Sequence, residues 1–202
     1  MPLVRTTSQA AEARERGSVA FLDAAESWVG EGVSYSDVGI ADLAARAGFS
    51  RARFYAYFDD KRALAVAVAD RFAVELGEEV DDWLAGADAG PVRERLERVG
   101  GVFARRRGAL LLVAEAATYD PDIRARWKAL HRRFEVRITD WVARADPSAG
   151  PAAAAARAFV LTWSTQASLV EHLADRRDVD PVILDALAVL WEGTVGGTPG
   201  SG

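Results

Sequence analysis

The sequence predicts an all-α chain of about nine helices, with an N-terminal three-helix helix-turn-helix domain and a larger C-terminal helical domain. Three observations carry this. Apolar residues return every three or four positions, and no run shows the bounded alternation of a strand. Proline and glycine sit in punctuating positions between the periodic runs. Between Ile40 and Leu84, two short helical patterns precede a long one, the rhythm of a helix-turn-helix running into a following helix.

The first helix is predicted from Glu12 to about Trp28, where Phe21, Leu22, Ala25 and Val29 make one stripe and Gly30 and Gly32 end it. A short irregular link covers Val33 to Val38. The two short helices follow, Ile40 to Ala47 and Arg51 to Phe58, broken by Gly48-Phe49, and the long one runs from Lys61 to about Leu84. Ala85 to Pro91, AGADAGP, has the composition of a connector. Beyond it Val92, Leu96, Val99 and Phe103 recur at helical spacing, and GALLLVAEAATYDP reads as a buried helix stopped before Pro121. Asp122 to Ala145 makes a long amphipathic helix ended by Asp146-Pro147, and Ala152 to about Arg176 and Val182 to Gly193 complete the set. The domains are accordingly drawn as 12–60 for the helix-turn-helix and 61–195 for the second domain, with the helix 61–84 bridging the two. The tail 196–202, GGTPGSG, is expected to be disordered, being too small and polar to fold.

Composition narrows the function classes. The 202 residues contain no cysteine, which removes disulfides, thiolate metal sites and cysteine nucleophiles. No stretch has the length of a signal-peptide core or of the roughly 20 apolar residues that span a bilayer, so a cytoplasmic protein without membrane partners is expected. The net charge of −5 argues against nucleic-acid binding by bulk positive charge, so that any DNA binding must be locally organised.

Gly39 to Leu64, GIADLAARAGFSRARFYAYFDDKRAL, is where that organisation is found. Ile40, Leu43 and Ala44 of the first short helix face a core, Gly48 supplies the positive-φ turn, and Ser50 caps the second helix. There Phe54 and Phe58, four apart, face inward, while Arg51, Ala52, Arg53, Tyr55 and Tyr57 lie on or near the outer face. Those residue types suit a DNA groove: arginine pairs bidentately with guanine edges, alanine touches a thymine methyl, and tyrosine hydroxyls hold phosphates. Lys61 opens the next helix, where an ammonium and free backbone N–H groups can meet one phosphate. Asp59 and Asp60 are discordant with phosphate and suit a capping role. The alternative reading makes the tyrosines packing residues and the arginines a solvated face.

With Tyr55, Tyr57, Phe58 and Lys61 in this order, the chain resembles the tetracycline-repressor (TetR) family of bacterial regulators, whose signature ends in an aromatic pair, an aromatic core residue and a nearby lysine. The resemblance covers the first three helices and the start of the fourth. It implies that Tyr55, Tyr57 and Lys61 contact phosphates and that Arg51, Ala52 and Arg53 sit where the family reads bases. Two positions depart from the pattern: Gly39 stands where a serine or threonine usually caps the first short helix, and Ala41 where some members carry a DNA-contacting polar side chain.

In the second domain Ile123, Trp127, Leu130, Phe134 and Ile138, with Trp141 close by, form a bulky stripe that suits either a core or a small-molecule wall. The polar candidates are Thr162, Thr165 and Gln166 beside Trp163, and Trp191 lies on the last helix. These segments are similar to the ethionamide-resistance-repressor branch of the family. That likeness maps Trp127, Phe134, Ile138, Thr162, Thr165 and Trp191, with Phe103 more loosely, onto positions lining an apolar channel. A wall without lysine or arginine implies an uncharged or weakly polar, mostly apolar effector. The last two long helices are apolar on more than one face, and the family pairs them across a twofold axis, so a homodimer is implied.

His131 and His172 are far apart, set among arginines and acids, and expected at the surface. No phosphate loop, nucleophile elbow or zinc signature is present, so no catalytic residue, metal or cofactor is expected. The expected function is a ligand-responsive repressor released from a palindromic operator, its two recognition helices set about 34–36 Å apart or a multiple of it. An all-helical enzyme or a protein-binding adaptor with an unrecognised site are the rivals.

Overall fold

The computed structural model describes residues 3–85 and 90–196. Residues 86–89 of the expected connector and 197–202 of the expected tail lie outside the described residues, while Gly196 is the last residue of the final helix. Among the described residues there are nine α-helices and no strand. They are α1 (Leu3–Gly30), α2 (Ile40–Arg46), α3 (Arg51–Tyr55), α4 (Lys61–Ala85), α5 (Val92–Arg105), α6 (Arg107–Tyr119), α7 (Pro121–Ala145), α8 (Pro151–Asp175) and α9 (Pro181–Gly196). The link after α1 contains a single 3-10 turn, Tyr35–Asp37.

The chain divides into two compact units: Met1–Arg71 with Gly108–Arg124, and Phe72–Arg107 with Ala125–Gly202. The first unit therefore takes in more than 12–60: it adds the start of α4, nearly all of α6 and the first residues of α7. The reason is visible in side chains. Arg71 on α4 pairs with Asp23 at 2.8 Å and with Glu26, both on α1. Gly108 opens α6 so close to α1 that a Cβ there would stand 1.8 Å from the Glu26 carbonyl oxygen.

The stripe Phe21, Leu22, Ala25 and Val29 of α1 is buried. α1 begins nine residues earlier than the periodicity suggested and ends as expected at its glycines, with a paired-carbonyl closure. Gly32 N–H donates to the Val29 carbonyl and Val33 N–H to that of Trp28, with Gly32 at φ +99°. The same closure ends α2. Gly48, at φ +80°, donates to Ala45, and Phe49 to Ala44, at 3.0 and 2.8 Å. Ser50 then accepts from Arg53 N–H at 3.2 Å to start α3.

In the second unit α5 packs most extensively on α9, and α8 packs on both. The inner stripe Trp127, Leu130, Phe134, Ile138 and Val142 of α7 is buried. Both histidines are buried as well, against the expectation of a surface position. His131 lies one turn beyond Trp127 on that inward stripe, where burial overrides its polarity, and its Nδ1 meets the Trp127 carbonyl at 2.7 Å. His172 Nε2 accepts from Asp180 N–H at 3.0 Å.

Candidate functional site

The first site is the surface of α3. Phe54 and Phe58 are buried in a ring cluster with Phe21, at centroid distances of 5.4 and 6.1 Å. With one side of the helix so anchored, Arg51, Ala52, Arg53 and Tyr55 are left exposed on the other. α3 is shorter than expected, ending at Tyr55, and Ala56 to Phe58 continue as a turn in which Phe58 N–H still donates to the Phe54 carbonyl. Each arginine lies along a tyrosine one turn later. The Arg53 guanidinium donates to Tyr57 Oη at 2.9 Å, and Arg51 stands 5.8 Å from the centre of the Tyr55 ring.

Two of the six residues expected to meet DNA have other partners. Tyr57 is half-buried, its ring 5.7 Å from that of Phe21 and its hydroxyl laid over Gly17, where a Cβ would come within 2.2 Å of it. Gly17 is thus the residue that lets Tyr57 lie flat on α1. Lys61 is half-buried, and its ammonium donates to the carbonyls of Tyr35, Ser36 and Val38 at 2.5, 2.9 and 3.0 Å. Three acceptors match the three N–H donors of the ammonium, so in the free chain the Lys61 side chain, expected to contact a phosphate, forms a clasp on the link before α2. The carbonyls at the end of a 3-10 turn draw a cation, here even though the Tyr35 carbonyl also accepts from Val38 N–H at 3.3 Å. Burial lowers the Lys61 pKa from the usual lysine range, opposed by Glu115 and Asp37.

The other end of the same turn is held by an acid that sequence reasoning did not single out. Glu115 on α6 accepts from Ser34 Oγ and from Tyr35 and Ser36 N–H at 2.7, 2.8 and 2.8 Å. The buried Tyr35 hydroxyl donates to the Lys61 carbonyl at 2.5 Å, and burial, then Tyr119, Asp60 and Glu115, push its pKa up. At the start of α4, Asp60 accepts from Ala63 N–H at 2.7 Å, the capping role its position suggested.

The second site is a cavity of about 50 Å3 in the second unit. All seven residues expected to line a channel meet in it: Phe103 from α5, Trp127, Phe134 and Ile138 from α7, Thr162 and Thr165 from α8, and Trp191 from α9. Gln166 joins them. Leu76, Val80, Trp83 and Leu84 of α4, with Val99 and His131, were not anticipated as lining. The α4 four recur at helical spacing, a signal of a buried face that does not say what the face encloses. Trp83 and Trp191 rings lie 4.5 Å apart, and Trp191 Nε1–H donates to Thr165 Oγ1 at 2.9 Å. His131 is stacked on Trp163 at 4.3 Å, and burial lowers its pKa, opposed by the Trp127 carbonyl and Glu135. Since that carbonyl only accepts, Nδ1 carries the proton and Nε2 the lone pair.

Among the described residues no group of histidine, aspartate and glutamate is placed to hold a metal, and no helix is long and apolar enough to cross a membrane.

Residues 22–68 match the family model described as bacterial regulatory proteins, tetR family. No curated protein matches the chain. Among solved structures it is similar to a TetR-like transcriptional regulator from Rhodococcus sp. RHA1, at 17% identity and TM-score 0.69, over 90% of this chain and 97% of that one. It is similar to the TetR family transcriptional regulator PfmR from Thermus thermophilus, at 16% identity and TM-score 0.67, over 89% and 98%. AibR, solved in complex with isovaleryl coenzyme A and operator DNA, has 17% identity and TM-score 0.62 over 86% and 97%. At these identities the solved structures speak to fold, and they do so over nearly the whole chain. The matched segment spans α2, α3 and the start of α4 and is similar to the tetR family of bacterial regulatory proteins, while the chain as a whole shares the fold of these solved regulators.

Proposed function

We propose that the chain is a repressor that binds a near-palindromic operator as a homodimer and leaves it when a small, mostly apolar effector fills the cavity of the second unit. The observation that carries this is the exposed edge of Arg51, Ala52, Arg53 and Tyr55, standing on a helix whose other side is sealed by Phe54 and Phe58. A side chain reads a base only from a fixed place, and the buried phenylalanines fix this one. Arg51 and Arg53 reach guanine edges, Ala52 a thymine methyl and Tyr55 a phosphate. Tyr57 works at one remove, by holding the Arg53 guanidinium. At Lys61 the main-chain N–H at the start of α4, not the ammonium, faces a phosphate.

Pairing is assigned to α8 and α9, where Phe159, Val160, Val182, Val189 and Leu190 are exposed. Apolar residues this numerous on two adjacent elements favour a covered surface. The mostly apolar character of the cavity wall, with no lysine or arginine in it, supports a neutral effector. Its seven anticipated residues support the likeness to the ethionamide-resistance-repressor branch. AibR, with a small molecule and operator DNA in one crystal, supports effector control in this fold. The same helix, α4, carries Lys61 near its start and Trp83 near its end, and an effector that prefers one placement of α4 shifts the population of DNA-competent dimers in proportion to that preference.

Duplexes selected from a random pool test the reading. Dimer binding is expected to be salt-sensitive and restricted to near-palindromic sites. Arg53→Ala is expected to cost about 1–3 kcal/mol on the best site and to relax preference at one position of each half-site. Tyr55→Phe is expected to weaken all sequences alike. Equal loss on every sequence for Arg53→Ala would remove its base-reading role, and absence of any DNA affinity would leave the adaptor or enzyme readings in its place.

A further inference from the structure

Polar groups on the helices of the second unit end on the protein. Ser164, Thr139 and Thr194 donate back to the carbonyls of Val160, Glu135 and Leu190 at 2.6, 2.7 and 2.6 Å. Trp163 Nε1–H donates to Glu135 at 2.8 Å, and Trp191 Nε1–H to Thr165. Among the described residues, four buried side-chain atoms make no hydrogen bond; Asp81 Oδ1 and Arg106 Nε lie in ion pairs with Arg137 and Glu75, and the other two belong to residues that line the cavity. Trp83 Nε1 and Thr162 Oγ1 are buried without a protein partner, in residues only 3% and 6% exposed.

An indole N–H is a donor and nothing else, and a buried donor left unmade carries its full desolvation penalty. Thr162 sits in mid-helix, where a threonine would ordinarily bond one turn back, and it does not. An oxygen acceptor satisfies both, since the indole can only donate and the hydroxyl can donate as well. The wall that surrounds them contains no charged side chain, so an anionic acceptor would be buried without a counter-ion.

We infer that the effector is an uncharged molecule with an apolar body and a carbonyl or ether oxygen, seated so that Trp83 Nε1–H and the Thr162 hydroxyl donate to that oxygen. The inference rests on the cavity being the effector site. It adds what the apolar wall does not specify: the polar atom that orients the ligand, and the two side chains, one on α4 and one on α8, that read it. Because Trp83 is on α4, the ligand oxygen is bonded directly to the helix proposed to carry the response.

The test uses the full chain and three probes of nearly equal shape: acetophenone, ethylbenzene and benzoate at pH 7. Affinities are read by titration, and the Trp83 indole N–H is followed by 15N–1H correlation spectra, its peak assigned by its loss in Trp83→Phe. Acetophenone is expected to bind about ten-fold tighter than ethylbenzene, the scale of one hydrogen bond made rather than missed. It is expected to move the Trp83 peak downfield, and benzoate is expected not to bind. In Trp83→Phe and in Thr162→Val the preference for the ketone is expected to shrink towards parity. Should Trp83→Phe not fold, Thr162→Val, which keeps the shape of the side chain, carries the comparison through the titrated affinities. Equal affinity for ketone and hydrocarbon, or a preference undiminished in the variants, overturns the inference and leaves the apolar effector site standing. Tight binding of benzoate overturns its neutrality. Failure of both neutral probes to bind removes the cavity as an apolar ligand site, and the inference with it.

Discussion

Lys61→Ala separates two roles for one residue. A phosphate contact contributes nothing to the free protein, whereas a clasp on carbonyls holds it together. The ammonium serves three acceptors, and the bonds to Tyr35 and Val38 are part-buried while that to Ser36 is exposed. The Ser36 carbonyl turns to water at little cost. The Tyr35 carbonyl keeps its bond from Val38 N–H at 3.3 Å, so the Val38 carbonyl is the one that loses its donor, and leaving a buried acceptor so costs about 1–3 kcal/mol, with the lower end, about 1 kcal/mol, at this half-open site. The ammonium also stands 4.7 Å from the centre of the Tyr35 ring, worth about 0.5–1 kcal/mol more. Lys61→Ala is therefore expected to destabilise the free protein by about 1.5–2 kcal/mol, a drop of roughly 3–8 °C in Tm for a chain of this length. Urea and thermal unfolding followed by circular dichroism measure it. Hydrogen exchange at the Tyr35 and Ser36 amides, which donate to Glu115, is expected to quicken beyond the global change. A variant as stable as the parent, with unaltered exchange and lost DNA affinity, would refute the clasp and return the ammonium to the phosphate.

Gly108→Ala is expected to destabilise the first unit by about 3 kcal/mol or more, read by thermal unfolding, because its Cβ would stand 1.8 Å from a backbone oxygen that cannot swing aside. Gly48→Ala, at φ +80° with open space around it, is expected to cost only about 1 kcal/mol, so the pair distinguishes a blocked site from a merely strained backbone. His131 is held neutral by burial, so its pKa is lower folded than unfolded. The unfolded chain then binds more protons below the ordinary histidine value of about 6.5, and the stability that His131 contributes is present above that pH and lost as pH falls through its folded pKa. Urea midpoints at pH 7.5 and 5 are expected to differ less in His131→Phe than in the parent, and an equal difference would count against the burial argument.

How far the sequence could be read depended on how local each feature was. The helix-turn-helix was legible because its cap, its positive-φ glycine and its inward phenylalanines all fall between Gly39 and Leu64, and Ser50, Gly48, Phe54 and Phe58 adopt the roles that their chemistry dictates. The cavity was legible in part. Seven residues from α5, α7, α8 and α9 were found through composition and likeness, but α4 was read as a bridge, and its Leu76, Val80, Trp83 and Leu84 show helical spacing without revealing what lies opposite. Glu115 and Lys61 were the least legible. A lone acid in GALLLVAEAATY and a lysine opening a helix have many possible partners, and only tertiary structure sets both on one 3-10 turn, 80 and 26 residues from Tyr35. His131 misled for the same reason: its sequence neighbours are arginines, while its spatial neighbours are Trp127 and Trp163.

The clasp changes how an acidic chain can hold a polyanion. Lys61 is committed to carbonyls, Arg46 is held by Glu31, and Arg62 is held by Asp120 and Asp122. Their positive charge is largely offset where they stand, which leaves Arg51 and Arg53 as the exposed guanidiniums on α3, the helix proposed to read DNA. Two cations supply little sequence-independent attraction, so affinity has to come from placing them well. The tyrosines do that placing: each arginine is laid along a ring one turn away, and Tyr57 is itself seated on α1 at Gly17. An arginine held in position loses less side-chain freedom on meeting a guanine edge than one that swings freely, and a mismatched base finds it unable to reach elsewhere. Under the proposed function, weak general attraction and rigidly held arginines act in the same direction, lowering binding to the mass of other DNA more than binding to an operator.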